Sequence, residues 1–199
     1  TGNVAYKCAM GVLMGGGHYN RFEYNIMIDC PKGIHLDDRG ISRKYTLEDK
    51  RLGGDVQSVS PDQSPWKEKH PELAALVAGG ETTIPKGDTV IGNVLINCGT
   101  SIELPKPEYA AGIELKGNIT TGSPADFVDA DNFDFTVKPG STLVAAIEGF
   151  PPIPFQQIGL QVDEYRKSIP QRDMKLLREG DTTKRKFSST TDIEASNKK

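Results

Sequence analysis

Three segments carry the same order of apolar and polar positions. Asn3–Met14 reads NVAYKCAMGVLM, Asn25–Leu36 reads NIMIDCPKGIHL and Asn93–Leu104 reads NVLINCGTSIEL. Each runs Asn, a β-branched residue, any residue, an apolar or aromatic residue, any residue and Cys. Two variable positions follow, then Gly or Ser, a β-branched residue, any residue, and Leu or Met. Alternation with period two predicts two short strands around a small turn, with Val4, Tyr6 and Cys8 on one face. A single unit of this kind cannot bury its own face, so equivalent units are expected to stack. The first two copies are spaced by about twenty residues, the length of one coil of a parallel β-helix. Stacking then sets Cys8 on Cys30 on Cys98, and Val12 on Ile34 on Ile102. Asn3, Asn25 and Asn93 form a ladder at a turn, where an amide can bond the next coil and asparagine tolerates a left-handed bend. A fourth, worn copy in GIELKGNITTGSPADFVD keeps Asn118 and Ile119 but has lost its cysteine.

The pattern predicts an all-β chain, a right-handed parallel β-helix (solenoid). Residues 1–170 are read as C-terminal coils of a longer solenoid, because Thr1 falls in mid-coil. Between the second and third copies lies an inserted loop, 40–88, with one short helix at about 65–78. There Ser64 is an N-cap, Pro65 the first helical residue and Gly79–Gly80 the stop. Leu73, Leu76 and Val77 form its apolar stripe. Residues 124–170 are expected to wrap the end of the helix, with Phe127, Phe133 and Phe135 sealing the last coil and 148–170 lying across it as an apolar strap. Residues 171–199 are expected to be a polar, partly disordered tail that opens on a short helix.

Composition supports many short strands over long helices: 21 glycines and 13 prolines among 199 residues. A net charge of −3 gives no basic footprint for nucleic acid. No apolar run approaches the length that spans a bilayer. The three cysteines share one inward position and include no CxxC pair, so they read as small hydrophobes rather than zinc ligands or a disulfide.

Chemistry is concentrated in IHLDDRG. Alternation from Ile34 turns Leu36 inward, so His35 and Asp37 face outward. Asp37, Asp38, Arg39 and His35 then gather at one edge, where the long insertion begins. Glycoside cleavage needs one protonated and one ionised carboxyl flanking the bond. Crowded like charges raise one pKa, while Arg39 holds the other carboxyl ionised. Asp37 and Asp38 are therefore the catalytic candidates; the competing reading makes them turn caps, with Arg39 bridging to a neighbouring coil. Glu103 holds the position of His35 one copy later and is a candidate second carboxylate or a solvated one. Gly15–Gly17 permit a tight turn, and His18 and Tyr19 after them bind substrate or fill that turn. Trp66 packs the insertion helix or offers a sugar-stacking face. PADFVDADNFDF is rich in aspartate but lacks EF-hand spacing, so calcium is a minor option and no cofactor is expected.

GGGHYNRFEYNIMIDCPKGIHLDDRG, SPWKEKHPELA, PKGDTVIGNVLINC, DFVDADNFDFTVKPGS and IPFQQIGLQVDEYR together resemble bacterial right-handed parallel β-helix proteins of the pectate-lyase-like superfamily, near glycoside hydrolase family 141. The likeness runs from about Asn3 to Pro170. It implies a secreted, periplasmic or cell-surface monomer acting on a plant or algal polysaccharide or oligosaccharide, most simply as a glycoside hydrolase. His18 and Tyr19 stand where the resemblance implies an acidic or basic pair. A non-catalytic polysaccharide-binding β-helix is the competing class. A polysaccharide lyase is the third, and needs a lysine or arginine base, often with calcium.

Overall fold

The computed structural model describes residues 1–170 except Tyr45, Glu81, Pro105 and Val144; the expected tail at 171–199 lies outside the described residues. The chain divides into two compact units, Thr1–Phe155 and Gln156–Lys199. In the described part of the second, Asp163 closes a turn by accepting from the backbone of Tyr165 and Arg166.

Nine strands build three sheets: β1 (Val4–Tyr6), β2 (Met10–Met14), β3 (Arg21–Glu23), β4 (Ile26–Ile28), β5 (Lys32–Leu36), β6 (Asp88–Ile91), β7 (Val94–Ile96), β8 (Thr100–Glu103) and β9 (Ile113–Lys116). The sheets are β1-β4-β7, β2-β5-β8 and β3-β6-β9, and every pairing in them is parallel. The chain visits first, second and third sheet in the same order three times. This predominantly β, parallel, stacked arrangement is consistent with a β-solenoid. The repeat register holds: Val4 pairs with Ile26 and Ile26 with Val94, while Ile34 pairs with Val12 and Ile102.

The asparagines hold the stack. The Asn25 side-chain oxygen accepts from both the backbone N–H and the amide of Asn3, at 3.0 and 2.9 Å. Asn93 does the same for Asn25, and Asn118 for Asn93, with matching distances. Each amide also reaches a backbone carbonyl: Asn25 to Glu23, Asn93 to Phe22, Asn118 to Val90. Asn25 and Asn93 are 1% and 0% exposed, so only such full pairing makes their burial tolerable. The worn fourth copy keeps its rung, and Ile119 bridges to Val94.

Cys30 and Cys98 face inward as expected, but Cys8 and the first-sheet aliphatics do not. Met27 and Leu95 lie in an interior cluster with Cys30, Ile34, Leu36, Val90 and Met14, drawn from all three sheets. Ile26, Ile28, Val94 and Ile96 point the opposite way, and Val4 and Tyr6 pack with them. Their cover is the segment after the coils, through Phe127, Phe135, Leu143 and Ile147. A hairpin of β10 (Phe127–Asp129) and β11 (Asp134–Val137) starts this cover. Tyr6 meets Phe133 and Phe135 edge-on at 5.7 and 5.2 Å. The phenylalanines thus cover the flank of the first sheet from β1 to β7, instead of sealing the last coil as the sequence suggested. That is why NIMI and NVLI are apolar on both faces. Cys8, on the edge coil, is exposed.

The excursion between β5 and β6 holds four helices where one was expected: α1 (Arg39–Ser42), α2 (Lys50–Val59), α3 (Trp66–Lys69) and α4 (Pro71–Gly79). The expected helix over 65–78 is split between α3 and α4, because His70 precedes a proline and is driven out of helical geometry (φ −137°, ψ 62°). Its predicted stop holds, with Gly80 left-handed at φ 71°. α2 was not expected from the sequence, and it contains Gly53–Gly54. Gly53 lies against the Leu47 carbonyl, where a side chain has no room. A fifth short helix, α5 (Pro107–Ala110), links β8 to β9.

Replacing Asn93 by leucine should lower the unfolding free energy by about 3 kcal/mol, because it strands both Asn25 donors and takes a donor from the Asn118 oxygen and the Phe22 carbonyl. The same change at Asn3, which serves one neighbour, should cost about 1 kcal/mol. Urea titration of both variants tests this, and equal losses would contradict it.

Candidate functional site

The second sheet presents its outer face at one rung: His35 of β5 pairs directly with Glu103 of β8 and with Leu13 of β2. The position equivalence drawn from the repeat is therefore a physical contact. The His35 Nδ1 lies 2.5 Å from a Glu103 oxygen. Lys32 donates to that same oxygen at 2.6 Å.

Lys32 was missed by sequence reasoning. Strict alternation sends Lys32 to the same side as Ile34, into the interior. The strand breaks its period at Gly33, where a Cβ would sit 2.6 Å from Leu95 in the interior cluster, while Ile34 is buried there too. Two successive inward positions leave Lys32 and His35, three apart, on the same outer side. The recurrence of Gly11 and Gly33 before a β-branched residue was the available signal.

Beyond β5 the ladder continues for one residue, as Asp37 donates its N–H to the Met14 carbonyl. Its carboxylate is gripped by Arg39: the backbone N–H at 3.1 Å, Nε at 3.1 and 3.0 Å, and Nη2 at 2.6 Å. The guanidinium lies against Gly15, where a side-chain carbon would come within 2.7 Å of it. The glycine triplet, expected only to permit a tight turn, thus also makes room for Arg39. Asp38 occupies the N-cap position of α1 without a side-chain capping bond; its carbonyl accepts from Ile41 and Ser42.

His35 acts electrostatically on both Asp37 and Glu103. The face therefore reads Lys32, Glu103, His35, Asp37, Arg39, with carboxylates set between nitrogen groups. Burial pushes the Asp37 carboxyl up, but the Arg39 hydrogen bonds and charge outweigh it and hold it below the usual 3.8. Glu103 is held below 4.5, first by the Lys32 hydrogen bond and then by His35. Both therefore stay ionised, and are suited to stabilise cationic charge or orient an imidazole.

The other candidates lie elsewhere. His18 bridges to Lys86 and Tyr19 packs on Gly87, so both belong to the turn between second and third sheets. Tyr19 is 46% exposed and left-handed at φ 57°. Trp66 is 40% exposed, and its ring lies 5.3 Å from that of His70. The aspartates of 124–135 are engaged in structural bonds: Asp126 and Ser123 form a capping box, Asp129 accepts from Asn132, and Asp131 accepts from the Tyr6 hydroxyl and pairs with Lys7. Among the described residues no group of three or more His, Cys, Asp or Glu is gathered as metal ligands, and no helix is long and apolar enough to cross a membrane.

Comparison of the chain with protein-family models, curated proteins and solved structures found no match.

Depressed carboxylates stabilise the fold fully above their ordinary values and lose that contribution as pH falls through the lower folded values. Asp37 and Glu103 therefore make the protein acid-sensitive below about pH 4. The double variant Asp37→Asn, Glu103→Gln should show a shallower fall of urea midpoint between pH 5 and 2. Parallel curves would show that these pairs do not stabilise the fold.

Proposed function

We propose that this chain belongs to a right-handed parallel β-helix protein of the pectate-lyase-like kind, exported to the periplasm, cell surface or medium, and that it hydrolyses glycosidic bonds in a polysaccharide. The observation that carries this reading is the outer face of the second sheet, where residues from neighbouring coils set Asp37, Glu103, His35, Lys32 and Arg39 side by side. In this reading Asp37, kept ionised by Arg39, is the carboxylate that activates water or attacks the anomeric carbon. Asp38, at the same strand end without a capping bond, is the proton donor to the leaving oxygen. Lys32, His35 and Glu103 bind sugar hydroxyls along this face. Trp66 supplies an apolar face for a pyranose ring. The excursion that opens with α1 stands directly after the two aspartates, as a loop of a binding face does.

One contact favours a second reading. The Glu103 carboxylate on His35 Nδ1 orients the imidazole with Nε2 free to take a proton, which suits base-led elimination from an acidic sugar. The two readings leave different products: hydrolysis yields saturated reducing ends, elimination an unsaturated sugar with ultraviolet absorbance.

On a panel of neutral and acidic polysaccharides, Asp37→Asn and Asp38→Asn should each lower release of reducing ends by about 10²-fold or more, with binding kept. Full activity in both variants would overturn the hydrolytic assignment. Unsaturated products abolished by His35→Ala would establish elimination in its place, and wild-type binding without turnover would establish a glycan-holding protein.

A further inference from the structure

The two inner cysteines take no part in that face. Ile28 pairs with Ile96, and each is followed two residues later by a cysteine, Cys30 and Cys98. The ladder persists through this turn, where Gly99 donates to the Cys30 carbonyl at 3.1 Å. Neighbouring strands lie about 4.8 Å apart. A disulfide needs Cα atoms between about 4.4 and 6.8 Å. The two sulfurs are within hydrogen-bonding reach of each other, and the Cys30 N–H also points at the Cys98 sulfur. Their exposures differ. Cys30 is 1% exposed, whereas Cys98 is only half-buried.

We propose that Cys30 and Cys98 are a reversible redox pair that staples adjacent coils, with a low-molecular-weight disulfide as oxidant. Cys98 is the entry point, because it can be reached from solvent. Its thiolate attacks one sulfur of the oxidant; the first thiolate leaves, and a mixed disulfide remains on Cys98. Cys30 then gives up its proton and attacks the Cys98 sulfur, expelling the second thiolate. Two protein thiols are oxidised, one external disulfide becomes two thiols, and the S–S bond joins coil to coil. Cys30 needs no solvent access for its step, since its target is the adjacent sulfur.

Electrostatics agrees with this order of events. The hydrogen bond from Cys30 holds the Cys98 thiol at about 7, below the ordinary 9.0. Giving that bond, together with burial, pushes the Cys30 thiol up. Cys98 is therefore the stronger nucleophile near neutral pH, and Cys30 the reserve. The bond would close a loop containing the whole excursion from α1 to α4, restricting the unfolded chain at its longest break in the repeat. Cys8 is the rival neighbour: it stands one coil before Cys30 in the same register and its N–H points at the Cys30 sulfur, but its own thiol is exposed.

The test is incubation of the full chain with oxidised glutathione, followed by non-reducing tryptic mapping. The expected product joins the peptides 22–32 and 87–116, carries no glutathione on either, melts at higher temperature and reverts with dithiothreitol. Cys30→Ser should stop at glutathione on Cys98, and in the wild-type chain the rate of the first step should fall as pH is lowered through about 7. A link between Cys8 and Cys30, or glutathione retained on wild-type Cys98 without a cross-link, would overturn the proposal. So would an unmodified Cys98 in folded wild-type protein. The mapping is done on wild-type chain, so a serine variant that misfolds does not decide the result. It reads sulfur chemistry alone, so it stands or fails independently of glycan activity.

Discussion

The stacked amides of Asn3, Asn25, Asn93 and Asn118 are the constraint on which the rest of the molecule depends. The oxygens of Asn25, Asn93 and Asn118 each take two hydrogen bonds from the coil before, and the amides of Asn3, Asn25 and Asn93 each give one to the coil after. An amide that is nearly inaccessible to water cannot shift by one residue without stranding several of these groups. Register in the first sheet is thereby set. Because the chain passes directly from first sheet to second, Ile34 must fall on Val12 and Ile102, and His35 on Glu103. Contact between residues far apart in the chain becomes a consequence of the rung.

The same ladder lets the repeat survive its long interruption. Asn25 and Asn93 are 68 positions apart yet bonded as closely as Asn3 and Asn25. Loop-closure cost grows only with the logarithm of length, so a large excursion is cheap where rungs on both sides are strongly specified. The excursion leaves at Asp37–Arg39 and returns at Asp88. The return has its own rung, in which Asp88 accepts both donors of Asn20. Burial pushes the Asp88 carboxyl up, and the Asn20 bonds offset it only in part.

The outer faces of the first two sheets are used differently. The first is sealed by aromatic and aliphatic side chains of the segment after the coils. The second carries the polar rung and the Asp37–Arg39 pair. In one sheet the turn residues stack as amides and thiols, and outward positions are apolar; in the other, outward positions are Lys32, His35 and Glu103. Glycine placement makes the second face possible: Gly33 breaks the alternation that would hide Lys32, and Gly15 leaves space for Arg39.

Much of this was written in the chain. Asparagine, cysteine and β-branched residues recurring in one order specified the coil register, since identical units must meet their equivalents. The pairing of His35 with Glu103 followed from the same count. Three features were decided only in three dimensions. The direction of Ile26, Ile28 and their counterparts depended on a covering segment that begins at Phe127, well beyond the last cysteine, and alternation cannot say which face is inside when both are buried. The entry of Lys32 into the site depended on a local break in period that a one-dimensional pattern treats as noise. The split of the excursion helix at His70 and the existence of α2 depended on backbone sterics beside Pro71 and Gly53. Repetition encodes what lies above what; the side toward which each residue turns is settled by what packs against it.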